Sequence, residues 1–252
     1  MKELRWIVFA LMLAMALTAG FACGGDDDDD DDSSGDDDFD VADPCEPITL
    51  DIDVCDPETG SFVSDIDNPY HPLPVGLHLV LEGDEDGTLV RVEIDVLDET
   101  KEVAGVTTRV VTETEYEDDE LVEVSSNWFA QTSDGTVCYF GEEVDEYEDG
   151  EIVSHGGEWE AGVDGAKPGI IMPGDPTVGQ TFYQELADGA QDMSQITALG
   201  EEFSAADETF TDTVTAMDSN PLEDCEADEK IYASGIGLVK DEDAELIEYT
   251  IP

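Results

Sequence analysis

Apolar and polar residues alternate along most of the chain after Val75. The runs Val90–Val96, Val106–Glu115 and Val122–Ala130 each repeat with a period of two. That period predicts β-strands with one buried and one wet face. In the second run the pattern puts Arg109, Glu113 and Glu115 on the wet face.

Short polar breaks separate these runs, as expected for hairpin turns. They occur at Gly83–Gly87, Glu117–Glu120, Ser133–Gly135 and Glu148–Gly150. Strands at roughly ten-residue spacing joined by hairpins predict an all-β, mainly antiparallel meander. Such a meander forms a barrel or half-barrel, with a sandwich as the alternative. Little helix is expected, and the weak helical candidate is Ala187–Ala198, which contains a glycine.

The segment Glu158–Gln180 is rich in Gly and Pro and differs from the alternating runs. It predicts a long crossing loop that plugs one end of the sheet. The alternative is the lip of a ligand cavity. For that reading the candidate ligand-binding residues are Lys167, Ile170, Ile171 and Met172.

The first 22 residues have the features of a secretory signal peptide. Two basic residues, Lys2 and Arg5, precede the unbroken apolar run Trp6–Leu17. That run is short for a membrane span, and small residues follow it, as at a cleavage site. We therefore expect an exported protein.

Cys23 directly follows this signal and resembles the lipid-attachment cysteine of bacterial lipoproteins. That resemblance implies that its thiol carries a diacylglyceryl group and anchors the protein in a membrane. Gly24 replaces the Asp that marks inner-membrane retention, which implies the outer membrane, facing the periplasm or the cell surface. The alternative is ordinary cleavage after Ala22 without acylation.

Residues 23–43 form an aspartate-rich tether behind this cysteine. A block of like charge cannot bury apolar surface, so we expect it to be disordered and extended. A spacer role is expected, with a calcium-collecting tail as the alternative. The remaining residues, 44–252, are sufficient for one β-rich domain.

The chain carries a formal net charge of −59. Such a chain repels nucleic acid and attracts cations and basic partners. It also requires screening by salt, which indicates adaptation to a saline medium. Calcium binding is the alternative explanation. The domain holds few basic residues: Arg91, Lys101, Arg109, Lys167, Lys230 and Lys240.

Cys45, Cys55, Cys138 and Cys225 remain after Cys23 is set aside. An even number of cysteines in an exported protein predicts two disulfides. Three pairings are possible. The nearness of Cys45 to Cys55 favours a local bridge, which leaves Cys138 for Cys225.

Candidate catalytic or metal-binding motifs are absent from the sequence. His71, His78 and His155 have no metal-ligand spacing and no neighbouring nucleophile motif. Carboxylates are so numerous that no glycosidase pair can be singled out. We therefore expect a protein that is not an enzyme and holds no cofactor or defined metal site.

Several motifs together resemble those of an uncharacterised family of exported bacterial lipoproteins. The closing stretch Tyr232–Val239 also resembles the last strand of half-barrels in periplasmic lipid carriers. The resemblance assigns no activity and no functional residues. The matching segments are Asn68–Gly76, Trp128–Gln131, Tyr139–Glu142, Trp159–Pro173 and Tyr232–Lys240.

These observations favour a non-catalytic, envelope-anchored lipoprotein with an acidic, salt-adapted surface. Its domain is expected to bind a hydrophobic or peptide ligand or to have a structural role. Two alternatives remain from the sequence. One is a calcium-binding surface protein, and the other is a hydrolase of envelope or extracellular polymers that uses a carboxylate pair.

Overall fold

The computed structural model of the protein describes residues 41–42 and 44–252. The signal peptide, Cys23 and nearly all of the tether lie outside the described residues. A short 3₁₀-helix, Ile52–Cys55, precedes the strands. The strands are β1 (Phe62–Val63), β2 (His78–Glu85), β3 (Thr88–Val103), β4 (Val106–Glu117), β5 (Glu120–Thr132), β6 (Val137–Glu148), β7 (Glu151–Ser154), β8 (Trp159–Glu160), β9 (Lys167–Met172), β10 (Thr181–Tyr183), β11 (Glu185–Leu186), β12 (Met193–Leu199), β13 (Phe203–Ala205), β14 (Glu208–Phe210), β15 (Thr213–Ser219), β16 (Ala227–Ala233), β17 (Gly237–Asp241) and β18 (Ala244–Thr250).

Sixteen of these strands form one antiparallel sheet, so the predicted all-β class is confirmed. The order across it is β10-β12-β15-β16-β17-β18-β2-β3-β4-β5-β6-β9-β11. Strand β1 joins β5, while β7 and β8 join β6. Strands β13 and β14 form a separate hairpin. The long meander β2–β6 is the part that alternation revealed most clearly.

The two ends of the sheet are joined by a single stretch of chain. Strands β10 and β11 stand at opposite ends of the strand order, yet only Gln184 separates them in sequence. The first pairs with β12 and the second with β9. A Cβ on Gly169 would lie 2.3 Å from the Gln184 carbonyl oxygen, so this junction requires glycine there. The sheet is therefore nearly closed and barrel-like.

The hairpin turns fall where the polar breaks predicted them. Asp86 and Gly87 connect β2 to β3 with φ of 50° and 92°. Asp149 and Gly150 connect β6 to β7 with φ of 53° and 79°. Positive φ at both central residues gives a turn whose twist matches the flanking strands.

Two predictions of local structure are wrong. Ala187–Ala198 is not helical: Ala187 and Ala190 form an isolated bridge around Gly189, and β12 follows. Pairing of β12 with β10 and β15 overrides the weak helical pattern. The segment Glu158–Gln180 is not one long loop, because it contains β8 and β9. Its glycines serve close backbone approach as well as turns.

One end of the barrel is covered by the stretch Asn68–Leu77, which we call the cap segment. The buried Asn68 side chain donates hydrogen bonds to the carbonyl oxygens of Gly135 and Pro173, at 2.8 and 3.1 Å. The Gly235 amide donates to the Pro69 carbonyl oxygen at 2.7 Å. These partners lie in turns at the same end of β5, β6, β9 and β16. The opposite end, formed by the β2–β3, β4–β5 and β17–β18 turns, we call the acidic end.

The four domain cysteines form two disulfides, but the predicted pairing is wrong. Cys45 is bonded to Cys225, and Cys55 to Cys138. The amino-terminal stretch crosses the molecule: Thr49 bonds to Thr181 in β10, whereas β1 pairs with β5. Each cysteine of this stretch therefore meets a different part of the domain, and nearness in sequence does not decide the partner.

No helix in the described part of the chain is both long enough and apolar enough to cross a membrane.

Candidate functional site

The inner face of the barrel carries acidic residues, which reverses the prediction for β4. Glu113 lies opposite Ile94, and Glu115 lies opposite Val92. Directly opposed residues of an antiparallel pair share a face of the sheet. Because Ile94 and Val92 belong to the buried core, Glu113 and Glu115 also point inward.

The inner faces line a cavity of about 90 Å³. Its apolar lining comes from the cap segment, β2, β3, β4, β5, β9 and the start of β17. Its polar lining comes from the cap segment, β4–β6, β16, β17 and the β10–β11 junction. The apolar residues are Pro72, Leu73, Leu77, Leu79, Ile94, Val111, Phe129, Ile171, Ile236, Gly237 and Leu238. The polar residues are His71, Glu113, Asn127, Tyr139, Gln184, Glu185, Lys230, Tyr232 and Asp241.

A buried lysine in β16 is the positive group of this cavity. The ammonium of Lys230 lies 3.2 Å from a carboxylate oxygen of Asp241 and 3.6 Å from one of Asp218. Gln184 donates a hydrogen bond to Asp218 at 3.1 Å. Burial opposes the charge on Lys230, but the two carboxylates outweigh burial and raise its pKa well above the usual value. Lys230 is therefore charged and already paired.

The carboxyl groups of β4 and β5 in the interior hold their protons unusually tightly. Burial raises the pKa of Glu113 to about 7, against the opposing attraction of Lys230. Burial and neighbouring carboxylates raise the pKa of Glu115 to about 9 and that of Glu123 to about 7. Near neutral pH this wall of the barrel therefore contains both carboxylic acids and carboxylates.

A second group of acids lies beside the β10–β11 junction. Burial raises the pKa of Glu142 and of Glu185 well above the usual value, and that of Asp192 to about 7. Glu185 accepts a hydrogen bond from the Asp192 amide. Glu142 is 1 % exposed, and neither of its carboxyl oxygens has a hydrogen-bond partner. A buried group without a partner favours its neutral form.

The acidic end of the barrel adds further protonatable groups. Burial is the main cause that raises the pKa of Glu85 to about 7 and that of Glu242 to about 8. Burial also raises the pKa of Glu117. Carboxyl groups therefore cluster at the end opposite the cap segment, and some of them hold their protons near neutral pH.

His71 closes the cavity from the cap segment. Its ring packs edge-on against Phe129 and Tyr232, with centroids 5.5 and 6.1 Å away. Both ring nitrogens are buried without a hydrogen-bond partner. Burial, with a smaller effect of Lys230, lowers the pKa of His71 to about 4. His71 is therefore an uncharged ring near neutral pH.

The other two histidines lie elsewhere and pair with carboxylates. His78 contacts Asp95 at 2.9 Å, and His155 contacts Asp145 at 2.9 Å. Among residues 41–42 and 44–252, no group of three or more His, Cys, Asp or Glu side chains is arranged to hold a metal ion.

The four candidate ligand-binding residues occupy different environments in the structure. Ile171 lines the cavity, whereas Ile170 and Met172 are fully buried in the core. Lys167 is exposed at the start of β9. The adjacent residues of a strand point to opposite faces, which explains why only part of this patch reaches the cavity.

No known protein family, curated protein or solved structure matches this chain. The resemblance to exported lipoproteins therefore stays a prediction.

Sequence reasoning missed the groups that define the cavity. Lys230, Tyr232 and Asp241 come from the carboxyl-terminal strands, whereas Glu113 comes from β4. One signal was available: Lys230 is among the few basic residues of the domain and directly precedes the apolar pair Ile231-Tyr232. A lysine at the start of a buried strand indicates a buried ion pair.

Proposed function

We propose that this domain is a non-catalytic binding module whose barrel interior holds a small ligand or one end of a larger one. The observation that supports it is the cavity of about 90 Å³, where apolar side chains meet a few convergent polar groups. Such a combination, with several perturbed carboxyl groups, is typical of ligand sites.

The size of the cavity narrows the class of ligand. An engineered cavity of about 150 Å³ holds one benzene molecule. The present cavity is smaller, so it suits a short apolar group with a polar end. A complete lipid chain or a folded peptide exceeds it, which restricts the hydrophobic or peptide ligand expected from the sequence to a terminal group of such a molecule.

The acids of the interior do not favour the hydrolase alternative. A polymer-cleaving carboxylate pair must flank a bond of a bound chain. Glu185 and Asp192 are 1 % and 8 % exposed, so this buried pair presents little carboxyl surface to a polymer chain. A polymer chain is far larger than the cavity of about 90 Å³, whereas a small ligand needs no more than that volume.

We further propose that the domain is held at the cell envelope through acylated Cys23. The supporting observations are the apolar leader, the cysteine after it and the charged tether. Its net charge of −59 favours a saline setting and partners that are cations rather than nucleic acid. Intact mass spectrometry of the native protein tests the anchor. A mass equal to unmodified Cys23–Pro252 contradicts it.

Leu238→Trp tests the binding function, because Leu238 is a partly exposed residue of the cavity lining. The larger side chain should fill the cavity. Leu199→Trp is the matched control, since Leu199 is 40 % exposed and lies outside the cavity. Native mass spectrometry of protein from its own host should show a retained small molecule in the parent and in Leu199→Trp, but not in Leu238→Trp. Retention by all three proteins, or by none, contradicts the proposal.

A further inference from the structure

We propose that the barrel cavity selects a protonated amine that carries a short apolar group, with Glu113 and Asp241 accepting its hydrogen bonds. This inference rests on the binding function proposed above. It names the chemical class of ligand that the same cavity takes.

Carboxyl groups outnumber basic groups around Glu113. The basic residue that interacts with Glu113 is Lys230. This lysine is already paired with Asp241 and Asp218. The interior therefore holds more carboxyl groups than the ammonium group of Lys230 can pair with. The groups that face Glu113 from other strands are Lys230 and Tyr232 of β16, Asp241 of β17, Glu123 of β5, and Tyr139 and Glu142 of β6.

The polar groups of the cavity lining include a buried acceptor that has no hydrogen bond. One carboxylate oxygen of Asp241 is buried and has no hydrogen-bond partner, and the residue is 4 % exposed. The Tyr139 hydroxyl donates its proton to Asn127 at 2.6 Å. The unpartnered ring nitrogens of His71 supply one donor and one acceptor, and beside them the cavity offers a ligand the carboxyl oxygens of Glu113 and Asp241 as acceptors. A ligand rich in N–H groups can donate hydrogen bonds to these acceptors, and an ammonium group supplies three N–H donors.

The aromatic side chains of the lining also favour a cation. Phe129 and Tyr139 are stacked with centroids 5.0 Å apart, and Tyr232 packs edge-on against His71. A ring face attracts an ammonium group near it, most strongly where water is excluded. The neutral His71 ring adds no repulsion.

The apolar part of the lining explains why an organic amine fits better than a metal ion. Leu79, Ile94 and Leu238 offer surface to a short hydrocarbon group. A calcium ion instead takes six to eight oxygen ligands. No described group of three potential ligands is arranged for a metal. A small amine uses both the carboxyl groups and the apolar wall.

Binding of such a cation should also displace a proton. Burial keeps the pKa of Glu113 near 7 in the free protein. A positive charge beside this carboxyl group favours its ionised form. At pH 7 the bound amine should therefore release part of one proton, and calorimetry in buffers of different ionisation enthalpy measures that release.

An NMR titration of the full-length protein with three probes of one size tests the inference. The signals followed are those of the backbone amides of residues 44–252. The probes are n-butylamine, n-butanol and sodium butyrate at pH 7.5. We expect the amine to bind at least tenfold more tightly than the alcohol, and butyrate not to bind. Glu113→Gln should weaken the amine at least tenfold and leave the alcohol unchanged. Glu143→Gln, at an exposed position of β6, is the matched control and should change neither.

The outcomes separate the two proposals. Equal binding of amine and alcohol, or an unchanged amine affinity in Glu113→Gln, overturns the amine inference while the binding function stands. Absence of binding by every probe overturns both. Amine binding without proton release at pH 7 also overturns the assigned role of Glu113.

Discussion

Glu113 is the residue at which the inner face of the barrel departs most clearly from its sequence pattern. In β4 the acids alternate with Val and Thr, and acids are normally wet, so the pattern predicts an outward Glu113. The structure puts it opposite Ile94. The two-residue period of a strand cannot by itself show which face points into the barrel when residues on both faces are buried, as they are in part of β4. The partner that makes the inward position tolerable, Lys230, comes from a strand distant in sequence.

Glu113→Gln should change how stability depends on pH. The pKa of Glu113 is raised from 4.5 to about 7 by burial, so the folded state keeps a proton that the unfolded chain has lost between these values. The free energy of unfolding therefore falls as pH rises through this window and levels off above it. A neutral glutamine avoids that loss and should stabilise the protein by about 2–3 kcal/mol at pH 8, with little effect at pH 4.

Urea unfolding at pH 4 and pH 8 measures this effect. Glu143→Gln serves as control, because the side chain is exposed on the outer face. A constant difference between Glu113→Gln and the parent at both pH values would mean that Glu113 does not titrate in this window.

At the scale of elements, the cap segment depends on one buried amide. The Asn68 side chain donates to two carbonyl oxygens and accepts from the amides of Tyr70 and His71 at 2.9 and 3.2 Å. Asn68→Asp keeps the acceptors but removes both donors and brings a carboxylate against two carbonyl oxygens. We expect a loss of about 3 kcal/mol in the free energy of unfolding.

Hydrogen exchange and urea unfolding together check this prediction. Exchange should quicken first in the cap segment, because the Asn68 side chain holds that segment with four hydrogen bonds. Ser61→Asp adds the same charge at an exposed position nearby and should have little effect. Unchanged protection of the cap segment in Asn68→Asp would contradict its role as the anchor.

The elements also show what the sequence could and could not predict. Hairpins with Asp-Gly turns were predicted correctly, because their signals are local. The Gly- and Pro-rich sequence around β9 predicts a loop, because the role of Gly169 is visible only in the folded backbone, where it closely approaches Gln184. The disulfide pairing failed for the same reason, because the path of the amino-terminal stretch across the molecule is set by pairing with β10 and β5.

For the whole molecule, the antiparallel barrel-like class followed from the alternation, but closure did not. Closure depends on two short strands, β10 and β11, whose few residues carry no periodic signal. The interior cavity depends in turn on closure, so the candidate site was beyond the reach of the sequence pattern. Composition predicted the charge of the molecule but not that acids such as Glu113, Glu115 and Glu142 would face inward.

The excess of negative charge should make stability depend on salt. Screening weakens repulsion among exposed carboxylates. We expect the Tm to rise by on the order of 5–10 °C between about 0.05 and 1 M NaCl, equivalent to roughly 2–3 kcal/mol. Because no described group is arranged for a metal ion, calcium chloride at equal ionic strength should give a similar gain. A saturable gain at millimolar calcium would instead indicate specific sites.

The pairing of β18 with β2 has a consequence for how the protein is made. Leu246, close to the carboxyl terminus, lies opposite Leu81, near the start of the meander. Until the last strand leaves the ribosome, β2 presents an unpaired edge, which is a template for association with other chains. Contacts so distant in sequence also fold slowly. The barrel can therefore be completed only after β18 has been synthesised.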